Sequence, residues 1–195
     1  ALIHAFLIRL NILLELANQS VINIYYADES GFSMLPNIPY CYQPKGEQWS
    51  IPSVRKKVMN VLGFLNPITS HLVTFPLPEG AYMNSETFIK FMNAFAAQLT
   101  QQTVVILDNA SWHKSALAKS MYAEWKNQGL YLLFLPPNCP HLNKIETLWR
   151  KVKYEWLAIK DFHSKKTLER KLVTIFKEYG LNYCIEFSMN FFNDK

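Results

Sequence analysis

Three acidic positions stand at places where a side chain can leave an apolar core and do chemistry. Asp28 and Glu29 follow the run Val21-Ile-Asn-Ile-Tyr-Tyr-Ala27, and Asp108 follows Thr103-Val-Val-Ile-Leu107. In mixed α/β sheets functional groups gather at the C-terminal ends of strands. A single Asp there is an ordinary turn former or cap. If the two strands are neighbours, however, Asp28 and Asp108 emerge side by side, and two such carboxylates repel unless a proton or cation intervenes. Glu146 is the third candidate. On a helix starting after Asn143 it falls about 100° from Ile145, at the edge of the apolar stripe. Asn143-x-x-Glu146 also has capping-box spacing, so Glu146 could instead return to the Asn143 backbone N–H.

Other groups cluster around these acids. Glu29 should face away from Asp28 if its strand continues, which fits a structural or supporting role. Asn109 follows Asp108 directly, and His113 stands five residues beyond it, able to touch phosphate or to orient the loop. Arg150 and Lys153 fall at about 140° and 80° on the Glu146 helix, flanking the carboxylate. Both suit phosphate contacts, as well as a solvated face. Lys45, Arg55, Lys56 and Lys57 bracket Trp49, a pattern that fits a DNA-contacting flap or an edge strand guarded by lysines. A zinc site built from His113, Cys139 and His141 would lack a fourth ligand and a usual spacing.

The elements that must position these groups follow from periodicity. Apolar residues in 1–17 are interrupted by Arg9, Asn11 and Glu15 before a membrane span is complete. An amphipathic packing helix over residues 1–19 is expected, with Leu2, Phe6, Leu10 and Leu13 inward. A strand to Ala27, then Val58–Leu65 and His71–Leu77 around an Asn66-Pro67 turn, give three antiparallel strands. Phe88, Phe91, Met92, Phe95 and Leu99 mark a helix capped near Asn84 or Ser85. Thr103–Leu107 and Leu130–Leu135 have the continuous apolarity of buried parallel strands. Helices are expected from about Trp112 to Asn127, from Asn143 onward with Ile145, Leu148, Trp149, Val152 and Trp156 inward, and over 165–179. The order β-β-β-α-β-α-β-α-α makes one mixed α/β domain.

Composition agrees. Of 195 residues 50% are apolar and 18% charged, below the roughly 25% of ordinary domains, which excludes a disordered or coiled-coil chain. The three cysteines, Cys41, Cys139 and Cys184, form no disulfide framework and fit a reducing compartment. The net charge of +5 is concentrated: residues 144–171 hold nine Lys and Arg against four acids. That places a polyanion near the Glu146 helix.

Three blocks together carry a resemblance: Ala27-Asp28-Glu29-Ser30-Gly31-Phe32; Leu107-Asp108-Asn109-Ala110-x-x-His113; and Leu135-Pro-Pro-Asn-Cys-Pro-His-Leu-Asn-Lys-Ile-Glu146-x-Leu-Trp149. Over about residues 20–160 the chain resembles the DDE transposases, in the bacterial insertion-sequence branch related to Tc/mariner elements. Val58-Met-Asn-Val-Leu-Gly-Phe64 also fits. The resemblance implies a ribonuclease H-like fold and a metal-binding triad of Asp28, Asp108 and Glu146. It further implies two Mg²⁺ ions that Mn²⁺ can replace, cleavage of transposon-end DNA and strand transfer into target DNA. A homo-oligomeric synaptic complex and a bacterial, nucleoid-associated cytoplasmic location go with it. Lys144 stands where the family commonly has Pro, and the Asp108–Glu146 interval is slightly long. Residues 1–195 are expected to form the catalytic domain alone, without the family's N-terminal helix-turn-helix region. Ala1, in place of Met, fits a fragment or processed chain. Two other readings share these residues: a different ribonuclease H-like nuclease, and an inactive DNA-binding or assembly module.

Overall fold

A computed structural model describes residues 2–37, 44–46 and 57–188. Five strands form one sheet in the order β3-β2-β1-β4-β5. These are β1 (Asn23–Ser33), β2 (Lys57–Asn66), β3 (His71–Pro76), β4 (Thr103–Leu107) and β5 (Leu130–Phe134). The pairs β1–β2 and β2–β3 are antiparallel, while β1–β4 and β4–β5 are parallel. The five helices are α1 (Leu2–Asn18), α2 (Ser85–Ala96), α3 (Ala116–Asn127), α4 (Ile145–Lys151) and α5 (Lys165–Lys177). Among the described residues no helix is long and apolar enough to cross a membrane.

Each strand's alternation divides the core in two. Ile24 and Tyr26 of β1, with Val104 and Ile106 of β4, join the apolar residues of α1, α4 and α5 on one face. Tyr25 and Ala27, with Val105 and Leu107, join α2 and α3 on the other. All five residues of β4 are buried, which its unbroken apolar run requires. Helix starts are set by short polar caps. The Asn84 side chain accepts from Thr87 N at 2.9 Å, Ser115 Oγ from Ala118 N at 3.1 Å, and Ser164 Oγ from Thr167 N at 3.1 Å.

Four expectations are corrected. β1 does not stop at Asp28 but continues to Ser33, because β2 pairs with it through Ser30↔Val61 and Gly31↔Asn60. Long-range ladder bonds override the local turn preference of Ser-Gly. The inward stripe of α1 is Phe6, Leu10, Leu14 and Ala17, whereas Leu2 is exposed and Leu13 only partly buried; the spacing is the expected four, four and three, displaced by one turn towards the C-terminal end of the helix. α3 begins at Ala116 rather than near Trp112, since Ser115 supplies the cap. Finally, α4 is only seven residues long and gives way to a π-helical turn over Val152–Trp156.

Candidate active site

The β1–β4 ladder runs only from Asn23↔Thr103 to Tyr26↔Ile106. Beyond it β4 ends, and β1 continues with β2 alone, so the sheet opens into a fork. Asp28 lies two residues past the last paired position and Asp108 immediately after β4. Strand alternation sends Asp28 to the α4 face, like Tyr26, and Glu29 to the α2/α3 face, like Ala27. The two strands are neighbours, as the juxtaposition of the two aspartates requires.

Glu146 comes to the same place because α4 is docked closely. Gly63 is the cross-strand partner of Asp28. A Cβ built on Gly63 would stand 2.7 Å from the Trp149 ring and 3.0 Å from Ile145 Cδ1, so the helix rests where a side chain would otherwise be. A glycine within a strand marks such an approach. The Asn143 amide donates to the Ala27 carbonyl at 3.2 Å. The capping-box alternative is not realised: Asn143 is bound to β1, and Lys144, at the cap position, makes no side-chain cap bond. The Glu146 charge instead bears on Asp28. Burial first, then Glu146, and more weakly Asp108 and Glu29, push the Asp28 carboxyl up to about 8, against one backbone hydrogen bond from Glu29.

Asp108 has different surroundings. It is half exposed, and its Oδ1 accepts from Ala110 N at 3.0 Å and lies 2.9 Å from His113 Nδ1. The His113 hydrogen bond holds Asp108 below the usual carboxylate range, with help from Ala110 N–H and the charges of His113 and Lys114. His113 is buried, with its ring 4.5 Å from the Phe88 ring. Burial opposes its charge, but Asp108 and Glu29 override this and push it up to about 9. Its Nε2 is 3.8 Å from Glu29 Oε1, an electrostatic distance and too long for a hydrogen bond. Glu29 also accepts from Trp112 Nε1 at 3.1 Å, and Tyr122 OH donates to the His113 carbonyl at 2.6 Å. Asn109 points elsewhere: its amide donates to Leu135 O at 2.7 Å and its oxygen accepts from Lys114, tying the Asp108 loop to the end of β5.

Among the described residues no three His, Cys, Asp or Glu side chains form a ready-made ligand cage. Asp108 is turned onto His113, while Asp28 and Glu146 are coupled by charge. The donor set is nonetheless one that hard divalent cations take: three carboxylates, with the one neighbouring imidazole, His113, turned onto Asp108. Burial raises Asp28 first and the charge of Glu146 adds to it; a cation would relieve the second of these. The zinc alternative finds no such support, since His113 is committed to Asp108, Cys139 is buried and His141 is exposed.

The family profile described as DDE superfamily endonuclease matches residues 23–169. The chain belongs to this family. The match takes in β1, β4 and α4, and with them Asp28, Asp108 and Glu146. The chain's fold is ribonuclease H-like, and solved structures share it. The Mos1 strand transfer complex superposes with a TM-score of 0.58 at 15% identity, covering 88% of this chain and 53% of that one. The Mos1 mariner paired-end complex with Mn gives 0.57 at 16%, covering 86% and 52%. A protein of Sinorhizobium fredii, named uncharacterized protein y4pE/y4sA, is 36% identical over 59 residues, 30% of this chain and 39% of that protein. The chain thus spans about half the length of the Mos1 chains and less of the curated relative.

The basic residues of the DDE endonuclease domain divide into groups. Arg150 is exposed and lines an open cleft of about 570 Å³ with His141, Asn143, Glu146 and Lys153. Lys153 sits in the π-helical turn with its Nζ 5.4 Å above the Phe32 ring. Burial lowers its pKa, while the charges of Glu146 and Asp28 act in the opposite sense. Lys144 reaches away from the carboxylates to donate to the Ser188 carbonyl at 2.9 Å. Lys57 begins β2 with its Nζ 4.8 Å above the Tyr82 ring, and Lys45 is exposed. Arg55, Lys56 and Trp49, the rest of the expected flap, lie outside the described residues. Asn143, Gly63, Phe32 and Trp112 were not foreseen as parts of the site. A glycine inside an apolar strand was the one available signal, and it points to Gly63.

Proposed function

We infer that this chain is the catalytic domain of a DDE transposase, which cleaves DNA at transposon ends and joins the freed 3′-OH to target DNA. The observation that carries this reading is that Asp28 and Asp108 stand at the ends of neighbouring strands, with the charges of Glu146 and, more weakly, Asp108 bearing on Asp28 and those of Glu146 and Asp28 bearing on Lys153. The family match and the Mos1 complexes, one a strand transfer complex and one holding a left transposon end, support it.

Asp28, Asp108 and Glu146 would hold two Mg²⁺ ions, or Mn²⁺ in their place. Ions so bound activate the attacking oxygen and stabilise the leaving one. The chain's own groups do the rest. Lys153 and Arg150 offset the charge of the phosphate that enters the cleft beside Glu146. His113, with Glu29 and Trp112 behind it, keeps Asp108 ionised and aimed. Asn109 holds the loop that carries both. Water attacks the scissile phosphate first, and the 3′-OH released then attacks target DNA, so no covalent protein–DNA bond forms. Lys45, Arg55, Lys56, Lys57 and Lys144 would add sequence-independent backbone contacts. Two copies paired on two transposon ends, in the bacterial cytoplasm, complete the reading.

The test is cleavage of inverted-repeat DNA by the complete protein with Mg²⁺, against an RNA–DNA hybrid control. Nicking at the element end, abolished in Asp108→Asn, is the expected result. Equal cleavage by Asp108→Asn overturns the mechanism. Cleavage of the hybrid alone overturns the transposase assignment in favour of another ribonuclease H-like nuclease.

A further inference from the structure

We propose that Asn143 is a positioning residue that sets the separation of the Asp28 and Glu146 carboxylates, and hence the affinity of this pair for a divalent cation. The proposal rests on the reading above, that these carboxylates hold metal. Asn143 is 3% exposed, and its Nδ2 donates to the carbonyl of Ala27. Ala27 is the residue before Asp28 and the first beyond the stretch of β1 paired with β4. Asn143 is three residues before Glu146, and its own carbonyl accepts from Glu146 N at 3.1 Å. One side chain therefore links the two carboxylate-bearing segments within a few bonds of each ligand.

The amide orientation is fixed by this link. A carbonyl needs a donor, so the NH₂ faces Ala27 and the oxygen faces away. That oxygen is buried and has no hydrogen-bond partner among the described residues. Keeping an orphaned acceptor buried is unfavourable, and this offsets part of what the bond to Ala27 contributes to holding α4. The helix has other anchors: Ile145, Leu148 and Trp149 are all buried, and Trp149 lies on Gly63. Without the Asn143 amide these hold α4 against the sheet, Ile145 in its first turn included, but the hydrogen bond that ties the start of that turn to the Ala27 peptide beside Asp28 is gone. A tether of this kind acts on ligand geometry rather than on folding.

The test measures Mn²⁺ binding by the complete protein, from loss of the free-ion electron paramagnetic resonance signal, alongside thermal melting and DNA cleavage. Asn143→Ala should remain folded and bind Mn²⁺ roughly tenfold more weakly. Its cleavage rate should recover at high Mn²⁺, whereas that of Asp28→Asn should not. Folded Asn143→Ala with Mn²⁺ affinity within twofold of wild type overturns the proposal. If Asn143→Ala fails to fold, Gly63→Ala decides, since its Cβ displaces the same helix from the other side. Weakened, Mn²⁺-rescuable binding then supports the proposal, and unchanged binding overturns it. Wild-type protein that binds no Mn²⁺ removes the metal reading itself, a result distinct from equal binding by wild type and variant.

Discussion

His113 Nδ1 lies 2.9 Å from Asp108 Oδ1, in an imidazole so deeply buried that burial alone would leave it neutral. The carboxylates on its two sides reverse that outcome. The candidate centre therefore carries a fixed cation behind one of its acids, and that acid is kept ionised while its neighbour Asp28 is driven towards protonation. Two aspartates in adjacent strands thus have opposite electrostatics, set by what each one faces.

The first prediction follows from this pair. His113 is raised from 6.5 to about 9, so its contribution to stability is complete below pH 6.5 and is lost as pH rises through 9. Asp108 is lowered, so its contribution is present above its unfolded value and is lost as pH falls. His113→Asn should therefore lower Tm most between about pH 5 and 7, with the difference shrinking towards pH 10. Cleavage should drop roughly 10- to 100-fold as Asp108 loses its orientation. Thermal melts from pH 4 to 10 check the first part, and a pH-independent Tm difference would sink it.

Asp28 has the opposite sign. Burial and the Glu146 charge put its folded value at about 8, above the ordinary 3.8, so the folded state holds the proton more tightly. Stability falls as pH rises from about 4 to 8 and is then level. Without divalent ions, Asp28→Asn should melt higher than wild type at pH 8, by roughly 5 °C or more, although it cannot catalyse. Adding Mn²⁺ should raise the wild-type Tm and leave the variant unmoved. A variant that melts lower than wild type at pH 8 contradicts the crowding that defines this site.

What could be read from residues alone was whatever depended on period and chemical type. The apolar runs located β4 and β5, the Phe88–Phe95 stripe located α2, and the blocks around Asp28, Asp108 and Glu146 located the carboxylates. What could not be read depended on partners distant in sequence. Ser30-Gly31 looks like a turn until Val61 and Asn60 of β2 pair with it. Asn143 looks like a cap until the Ala27 carbonyl claims its amide. The π-helical turn at Val152 has no glycine or proline to announce it, and Val152 and Leu157 at its two ends are both buried in the core. Trp112 reads as an ordinary aromatic until Glu29, 83 positions away, accepts its N–H. Local chemistry named the carboxylates; long-range packing determined which way they point.

Arg150 and Lys153 should separate in their effects. Arg150 is exposed at the cleft, and Lys153 is half-buried against Phe32 and the carboxylates. Arg150→Ala should weaken DNA binding across all sequences and reduce the salt slope by about 1. Lys153→Gln should leave that slope nearly unchanged and reduce the cleavage rate. Filter binding from 50 to 200 mM salt, with single-turnover cleavage, distinguishes the two; identical profiles for both variants would show that depth in the cleft does not matter.

The packing at Gly63 gives the last prediction. Gly63 faces Asp28 across the β1–β2 ladder, and its missing side chain is the space that the Trp149 ring fills. An added methyl would stand 2.7 Å from that ring and 3.0 Å from Ile145, so α4 must move outward or Trp149 must change rotamer. Trp149 is also packed edge-on against Phe32 and Phe176, which leaves the rotamer little freedom. Overpacking of this kind costs about 1–3 kcal/mol, a fall of roughly 2–10 °C in Tm for a domain this size. The adjacent glycine in β1 offers a control. A Cβ at Gly31 meets only the end of the Asn60 side chain at 2.9 Å, which can rotate away. Gly31→Ala should thus melt close to wild type, and Gly63→Ala well below it. Equal melting of the two variants would mean that α4 is not seated on Gly63, and the distance from Asp28 to Glu146 would then need another cause.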